Sequence, residues 1–407
     1  MGNVWFGGSL QFARVKSPSQ GGLVEGGVPK LLIWFCLSAV FVVYSYFLYP
    51  LVLKLMQVCL GSRNALPEPA HRPGLSLIIT AHNEERRIRA KIDNSLAIEY
   101  AGELELIVAS DGSTDGTNAI VQEYAERGVR LVETEQWLGK ENAQLEAMSS
   151  ASHDIMVFSD VATQIPADAL DIMAGYFADE TVGAVSSEDR FIAENGRVEG
   201  EGLYVRYEMW LRQQESRLAG LVGLSGSFFA VRSSVVKEHW DIRCPSDFNT
   251  ALSCARQGVR SVTAPDVLGY YPNLSDSSKE YQRKVRTALR GMTALKHNAE
   301  LLNPFRFGVF ALQVWSHKIL RWVVPWALLS LLVSTLLLYP HPLAQLALLP
   351  QLAFYLIAFL TWRIERLQAQ ALCRVIYFFC QVNLALAVAG LRMLRGQSMY
   401  NWQPSAR

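Results

Sequence analysis

The sequence predicts an α/β domain, with a mostly parallel sheet covered by helices, joined to α-helical transmembrane and interfacial segments. Between about residues 74 and 303, short apolar runs alternate with helical stretches, and strands that are apolar throughout are typical of a parallel sheet covered on both faces. Long uncharged apolar runs near both ends of the chain could each cross a hydrocarbon core of roughly 30 Å. Half of the 407 residues are apolar, and the excess lies in those end segments.

The N-terminal part is predicted to be a flexible segment followed by an anchor. Residues 1–30 are rich in Gly and Ser, which indicates a flexible N-terminus. The run LLIWFCLSAVFVVYSYFLYPLVL that follows contains no charge. It starts about thirty residues into the chain and lacks a small-residue cleavage site, which distinguishes it from a signal peptide. We therefore expect a transmembrane anchor over residues 31–56.

The central domain, residues 74–303, begins with four runs that predict strands. They are LSLIIT at 75–80, LELIVAS at 104–110, VRLVET at 129–134 and DIMVFSD at 154–160. Helical stretches separate them, and polar clusters follow the first, second and fourth runs directly. Because ligands bind beyond the carboxyl ends of parallel strands, we expect a ligand site at this edge of the sheet.

The C-terminal part is predicted to contain interfacial and membrane helices. Residues 304–322 mix aromatic with basic side chains, which is typical of helices that lie in the membrane interface. Residues 323–391 contain three apolar runs, which predict membrane helices. The last run carries Gln381 and Asn383 and has arginines at both ends. We expect it to lie along the interface or to dip in and return, with a full crossing as the alternative.

Composition argues against several other classes of protein. The formal net charge is +1, so no global field favours a nucleic-acid partner. The six cysteines form no CxxC pair, so neither a zinc site nor a disulfide framework is expected, and a reducing cytosolic face fits. No G-x-G-x-x-G follows the first strand, which disfavours a dehydrogenase.

Two charged residues follow predicted strands in patterns that suit a nucleotide. Asp111 stands in SDGST at the end of the second strand, where a carboxylate can accept hydrogen bonds from a nucleobase edge; a helix cap is the equal alternative. Lys140 begins a predicted helix, where its positive charge is unfavourable unless a phosphate binds there. The alternative for Lys140 is a solvated side chain.

Two aspartates could act at the centre of the site. Asp160 ends an apolar strand, and a buried acid needs a partner, such as a divalent cation bridging to diphosphate oxygens. Asp247 precedes an amphipathic helix and could serve as a general base at the mouth of a pocket. For both residues, capping of the following helix is the alternative.

A basic helix is predicted within residues 279–291. Arg283, Arg286 and Arg290 share one face at helical spacing, and three like charges repel unless an anion lies among them. A diphosphate leaving group would suit their guanidinium groups. A basic face against the anionic cytosolic leaflet is the compatible alternative.

The motifs occur in an order that resembles the membrane-anchored family 2 inverting glycosyltransferases of GT-A fold. These include bacterial exopolysaccharide transferases and, more distantly, hyaluronan, poly-N-acetylglucosamine and cellulose synthases. The resemblance covers about residues 30–407. The segments that carry it are IITAHNEE, SDGSTDGT, LGKENAQLEA, FSDVAT, YEMWLRQQESRLAGLVGLSGSFFAVR and SDF.

The resemblance implies a role for individual residues. Asp247 would be the catalytic base, while Arg283 and Arg286 would stabilise the developing charge on the diphosphate. Asp160 would hold Mg²⁺ or Mn²⁺. The donor contacts implied are Thr80, Ala81, Asn83, Glu84, Asp111, Lys140, Asp160 and Gly226.

The chain departs from the family pattern at two places. FSDVAT carries Asp160 but no second acid of the D-x-D motif, since Val161, Ala162 and Thr163 follow. One carboxylate with diphosphate oxygens can still hold Mg²⁺. The stretch RKVRT stands where processive synthases have Q-x-x-R-W, with Thr287 in place of the tryptophan. Single transfer and processive synthesis therefore both remain open.

The resemblance implies an integral membrane enzyme that transfers a sugar from a UDP-sugar, with inversion, to a polysaccharide or a lipid-linked saccharide. Its expected place is the bacterial inner membrane, in contact with lipids, with the catalytic domain facing the cytosol. Other polysaccharide-export subunits are expected partners, and nucleic acid is not. The alternatives are a processive synthase that also secretes its polymer and a nucleotide-binding pseudo-enzyme subunit.

The C-terminal tail, residues 392–407, ends in SMYNWQPSAR. Disordered tails are usually poor in aromatic residues, so this composition predicts a segment that packs on a surface. Similar endings lie over the active site in some relatives of this family. We expect the tail to act as an active-site lid, with Trp402 near the donor pocket and Arg407 near its phosphates.

Overall fold

The computed structural model describes residues 28–192, 203–272 and 277–397. Within these ranges, an α/β domain is joined to apolar helices that lie before and after it in the chain. Trp402 and Arg407, the two residues of the expected lid, lie outside the described residues. The role of the tail therefore stays a prediction.

The described part of the α/β domain contains one seven-stranded sheet, in the order β3-β2-β1-β4-β6-β5-β7. Its strands are β1 Leu75–Ala81, β2 Leu104–Asp111, β3 Val129–Thr134, β4 Ile155–Asp160, β5 Val182–Ile192, β6 Phe228–Arg232 and β7 Arg260–Pro272. Strands β1 to β4 pair in parallel, as do β5 and β7, while β6 runs antiparallel to both neighbours. The predicted mostly parallel sheet is confirmed.

Helices cover both faces of this sheet. Those of the α/β domain, after the N-terminal helix α1 (Val28–Leu60), are α2 Ile88–Leu96, α3 Thr117–Gln122, α4 Lys140–Ser150, α5 Ala169–Gly175, α6 Leu203–Ser216, α7 Ser233–Val236, α8 Ser246–Gln257 and α9 Ser277–His297. Every residue of β1 is buried. Alternate β1 residues pack into two core clusters, with Leu77 and Ile79 in one and Ile78 in the other, because successive strand side chains point to opposite faces.

The register of the sheet places the predicted motifs at one edge. Thr80 of β1 is level with Asp160 of β4, and Ala81 is level with Ser110 of β2. Since β6 runs antiparallel, its first residue, Phe228, pairs with Ser159 near the end of β4. The loop before β6 therefore meets the carboxyl ends of the parallel strands.

Among the described residues, four helices are long and apolar enough to cross a membrane by length and composition: α1, α10 Pro304–Leu338, α11 Pro342–Arg363 and α13 Ala371–Leu394. The short helix α12, Glu365–Gln368, precedes α13. Helix α10 is kinked at Gly308 and contains a π-helical turn at Trp315–Ile319. It runs unbroken past residues 322 and 323, where the sequence predicts the boundary between interfacial and membrane segments.

Helix α13 packs against α9 of the α/β domain. Val285 and Leu289 of α9 form an apolar cluster with Ala385 and Ala389 of α13. Lys284 Nζ donates a hydrogen bond of 2.9 Å to Gln381 Oε1, so the basic helix and the last apolar helix are joined by apolar and polar contacts. The Asn383 side chain is also buried. Both Gln381 and Asn383 therefore pack against other parts of the protein.

Candidate active site

A cavity of about 720 Å³ lies where the strand ends face the apolar helices α10 and α13. It extends from β1 and β4, past the loop before β6, to α9, α10 and α13. Eight of the residues predicted for the site line it: Thr80, Glu84, Lys140, Asp160, Gly226, Asp247, Arg283 and Arg286. Residues from distant parts of the sequence therefore surround one space.

Three predicted donor contacts lie outside this lining. Ala81 is buried in the core. Asn83 adopts φ 53° and accepts a hydrogen bond of 2.8 Å from the backbone N–H of Thr114, so it stabilises the turn after β2. Asp111 is fully buried. These three residues shape the loops beside the cavity rather than its wall.

Asp111 is well placed to order the loop that leads to α4. Its Oδ1 accepts hydrogen bonds of 3.1 Å from the backbone N–H groups of Leu138 and Gly139, while Oδ2 is buried without a partner in the described part of the chain. Burial raises the pKa of Asp111, and the two amides oppose that rise. Nearby, His82 and Trp137 stack with ring centroids 5.0 Å apart, a pair that the sequence analysis did not single out.

Lys140 and Asp160 form an ion pair at the centre of the cavity wall. Lys140 is the first residue of α4 and is buried, and its Nζ lies 2.5 Å from Asp160 Oδ1 and 2.8 Å from the carbonyl oxygen of Gly226. Asp160 is only partly buried, and the partner expected for it is supplied, at least at one oxygen, by a lysine. The pair ties α4, β4 and the loop before β6 together.

Lys91 stabilises the turn that follows Asp160. Its buried Nζ donates hydrogen bonds of 2.8 Å to Ser159 Oγ and 2.6 Å to the carbonyl oxygen of Thr163. Burial lowers the pKa of Lys91 to about 7, although the charge of Asp160 acts in the opposite direction. This lysine therefore holds both sides of the turn at the end of β4.

Asp247 lies in the first turn of α8, and its carboxylate faces the cavity. The N-cap of α8 is Pro245, and within the described ranges no side chain makes a capping hydrogen bond to this helix, so capping is not the role of Asp247. A carboxylate at this end is favoured by the helix dipole. Gly226 passes close by, since a Cβ at Gly226 would lie 3.5 Å from Asp247 Oδ2. The loop glycine thereby keeps the space in front of the carboxylate open.

The arginines of α9 divide into two groups. Arg290 lies 2.8 Å from Glu141 of α4, and both side chains are buried, so Arg290 docks α9 on the α/β domain. Arg283 makes no hydrogen bond or ion pair within the described residues and lines the cavity. Burial and the positive charges of Arg290 and Arg283 lower the pKa of Arg286. This cluster would be stabilised by an anion in the cavity.

The oxygen donors around Asp160 decide whether the site can hold a divalent cation. In the described part of the chain, no group of three or more His, Cys, Asp or Glu side chains could hold a metal. Asp160 Oδ1 contacts Lys140, but within those residues Oδ2 accepts no hydrogen bond. Beside it, the buried Thr80 hydroxyl has no hydrogen-bond partner among the residues that the structure describes. Because Mg²⁺ often takes one or two carboxylates and fills its shell with water and phosphate oxygens, these residues fit the cation.

Other charged residues, which no sequence motif identifies, also line the cavity. Among them are Asp189 of β5, Arg212 of α6 and Lys318 of α10. Asp189 occurs in SSEDRF and Lys318 in an aromatic-rich helix, and neither matches a motif by spacing. Only the packing of β5 and α10 around the strand ends brings them to this wall.

The chain matches known proteins in both sequence and fold. Residues 76–240 match the family model described as glycosyl transferase family 2. A poly-beta-1,6-N-acetyl-D-glucosamine synthase of Staphylococcus epidermidis is 29% identical over 175 residues, which are 41% of this chain and 42% of that protein. The same enzyme of Staphylococcus aureus strain COL is 28% identical over the same shares of the two chains. The match thus spans less than half the length of these curated relatives.

A solved structure shares the fold over most of the chain. The mannosyltransferase PcManGT from Pyrobaculum calidifontis, determined in complex with GDP-Man and Mn²⁺, superposes with a TM-score of 0.68 at 23% identity. The superposition covers 90% of this chain and 100% of that one. The resemblance to family 2 glycosyltransferases and the GT-A fold, both predicted from the motifs, are therefore confirmed.

Proposed function

We propose that the protein is a membrane glycosyltransferase that transfers a sugar from a UDP-sugar, with inversion, to a glycan or a lipid-linked saccharide in exopolysaccharide or cell-envelope synthesis. The observation that carries the proposal is the meeting of three groups at one cavity. They are the carboxylate of Asp247, the Lys140–Asp160 pair and the arginines of α9. A base, a donor site and an anion site are what such a transfer requires.

The donor would bind along the strand ends. Lys140 is a buried cation at a helix N-terminus, where backbone N–H groups also favour phosphate oxygens. Arg283 and Arg286 would complement the diphosphate as its negative charge increases on departure. When bound, Mg²⁺ or Mn²⁺ held by Asp160 would supply further Lewis-acid stabilisation of that charge. The Mn²⁺ in PcManGT supports this cofactor class.

Inversion requires the acceptor hydroxyl to attack from the face opposite the leaving diphosphate. Asp247 Oδ2 lies beside Gly226, whose carbonyl oxygen contacts Lys140. A sugar bound between them would present its anomeric carbon to a hydroxyl that Asp247 deprotonates. The proton moves from the acceptor oxygen to the carboxylate as the new glycosidic bond forms.

The acceptor would approach from the membrane side. Trp322 of α10 and Phe378, Val382 and Leu386 of α13 line the same cavity as Asp247. Apolar and aromatic walls of this kind suit a saccharide ring or the start of a lipid-linked acceptor. Neither class of acceptor is favoured over the other by these contacts.

The proposed activity is tested by measuring UDP release from purified protein with a panel of UDP-sugars, with and without membrane lipid extract. We expect release with one sugar, increased by an acceptor in the extract. Absence of release with every sugar would favour the pseudo-enzyme. Product length on a gel would separate a processive synthase from a single-transfer enzyme.

We expect the activity to require Mg²⁺ or Mn²⁺. EDTA should reduce UDP release to background, because the Asp160 carboxylate, itself an anion, can hold the diphosphate only through a divalent cation that binds both. Re-addition of Mn²⁺ in excess over EDTA should restore it, and EDTA saturated with Mn²⁺ beforehand, which cannot remove the ion from the protein, should leave UDP release unchanged. Full turnover in EDTA would show that Lys140 and the arginines suffice.

We propose that the protein resides in the bacterial inner membrane with its catalytic domain in the cytosol. In this arrangement, α13 lies along the cytosolic interface of the membrane. Its contacts with α9, a helix of the α/β domain, support this placement. The placement is tested in a variant that lacks the six native cysteines and carries Gln397→Cys as its single thiol. That thiol should be protected from an impermeant reagent outside intact cells, whereas His341→Cys, between α10 and α11, should react. Labelling at residue 397 from outside would mean that α13 crosses.

A further inference from the structure

The missing second acid of the D-x-D motif has a spatial counterpart. Asp189 of β5 lines the same cavity as Asp160, although 28 residues separate the two in the sequence. Its Oδ1 accepts hydrogen bonds from the hydroxyls of Ser225, at 2.6 Å, and Ser227, at 2.8 Å. The carbonyl oxygen of Ser227 accepts the backbone N–H of Asp160 at 3.0 Å. One serine therefore positions both acids.

The two carboxylates interact electrostatically. Burial raises the pKa of Asp189, and the negative charge of Asp160 raises it further. The hydroxyls of the two serines and the charge of Arg212 lower this pKa but do not cancel the rise. Arg212 itself donates its hydrogen bond to Ser186, at 2.6 Å, rather than to Asp189. Lys140 contacts Asp160. Within the described residues, Asp189 thus has no ion-pair partner, and Oδ2 accepts no hydrogen bond.

The Thr80 hydroxyl gives a separate reason to expect a ligand beside these acids. Thr80 is 4% exposed and lines the cavity, and its hydroxyl makes no hydrogen bond within the described structure. Thr80 is level with Asp160 in the paired strands β1 and β4, so the two side chains point to the same face of the sheet. A buried hydroxyl without a partner is costly unless a ligand or a ligand-bound water completes it.

We propose that Asp189 supplies, through Oδ2, the second protein carboxylate for the divalent cation that Asp160 binds. The inference rests on the metal-dependent donor binding proposed above. Ala162, two residues after Asp160, has no oxygen in its side chain with which to bind a metal. Two carboxylates from different strands, with diphosphate oxygens and water, form a hard oxygen site suited to Mg²⁺ or Mn²⁺. The serine hydroxyls orient Asp189, as hydrogen-bonded partners commonly orient ligating carboxylates.

The test measures Mn²⁺ binding directly. Purified full-length protein in detergent is titrated with Mn²⁺ in the presence of UDP, and the free ion is counted by electron paramagnetic resonance. Asp189→Asn keeps an oxygen for the serine hydroxyls but removes the charge. We expect Mn²⁺ affinity to fall at least about tenfold, while UDP affinity without metal and the unfolding temperature remain those of the wild type.

A matched control and a rescue variant separate ligation from a structural role. Asp179→Asn alters an acid just before β5 that hydrogen-bonds Thr181 outside the cavity, and it should leave Mn²⁺ affinity unchanged. Adding Ala162→Asp to Asp189→Asn returns a carboxylate to the sequence motif and should restore most of the affinity. A structural role for Asp189 would not be rescued from residue 162, which also lines the cavity.

The outcomes are distinguishable. Wild-type Mn²⁺ affinity in Asp189→Asn, or a loss that Ala162→Asp leaves unchanged, would overturn the inference while the proposed metal dependence stands. If the wild-type protein binds no Mn²⁺ with UDP present, the metal-dependent part of the proposed function fails, and this inference fails with it.

Discussion

Asp247→Asn should abolish sugar transfer while leaving UDP binding nearly intact. The amide keeps the shape of the carboxylate but cannot accept the proton of the acceptor hydroxyl. Loss of a general base typically lowers the reaction rate by about a hundredfold or more. The side chain lines the cavity in the first turn of α8 and caps no helix. The fold should therefore tolerate the change. The measurements are UDP release in the presence of acceptor and UDP affinity by calorimetry.

Asp241→Asn is the matched control for this variant. Asp241 lies on the loop before α8 and pairs with Arg243 at 2.8 Å, outside the cavity. Its loss should change turnover by less than about twofold, since exposed ion pairs contribute little. If Asp247→Asn retains more than about a tenth of wild-type turnover, the base is another residue.

Arg283→Met should lower turnover by roughly a hundredfold without destabilising the fold. A preorganised donor to a developing negative charge contributes about this much, and methionine keeps part of the apolar stem. The substitution should break no polar contact within the protein, because Arg283 makes no hydrogen bond or ion pair with the rest of the described chain. We expect the effect mainly in kcat, since the charge increases as the diphosphate leaves.

Lys296→Met provides the comparison on the same helix, because Lys296 is exposed near the end of α9. It should retain wild-type kcat and unfolding temperature. A similar loss in both variants would indicate that the general basic character of α9 against the membrane, rather than the position of Arg283, supports activity. A rise in KM alone for Arg283→Met would place that residue in ground-state binding.

The first four strands illustrate what periodicity and composition predict. The runs at 75–80, 104–110, 129–134 and 154–160 lie within one residue of β1 to β4, because buried parallel strands are largely apolar. The edge strand β3 is only partly buried and carries Arg130 and Glu133. The polar ends of these runs identified the edge of the sheet where the cavity lies. The antiparallel direction of β6 was not predicted, since strand direction depends on which neighbours a strand pairs with rather than on its own residues.

The residues of the site divide in the same way. Asp160, Lys140 and Asp247 stood out in the sequence because each follows a strand or begins a helix within an ordered set of motifs. The ion pair between Lys140 and Asp160 could not be read from a separation of 20 residues. Likewise Arg290, predicted to share an anion with its neighbours, instead pairs with Glu141, because the docking of α9 on α4 places them 2.8 Å apart.

The sequence by itself determined the fold class, the carboxyl edge of the sheet as the site, the apolar helices and the likeness to family 2 glycosyltransferases. These follow from local patterns, since burial, helix starts and strand ends each leave a mark on consecutive residues. Only the tertiary structure decided that Asp189 shares a cavity with Asp160, that α13 packs on the basic helix α9, and that the apolar helices α10 and α13 complete the wall beside Asp247. Each depends on contacts between residues far apart in the chain, which arise when the sheet and helices pack together and which short-range patterns do not encode.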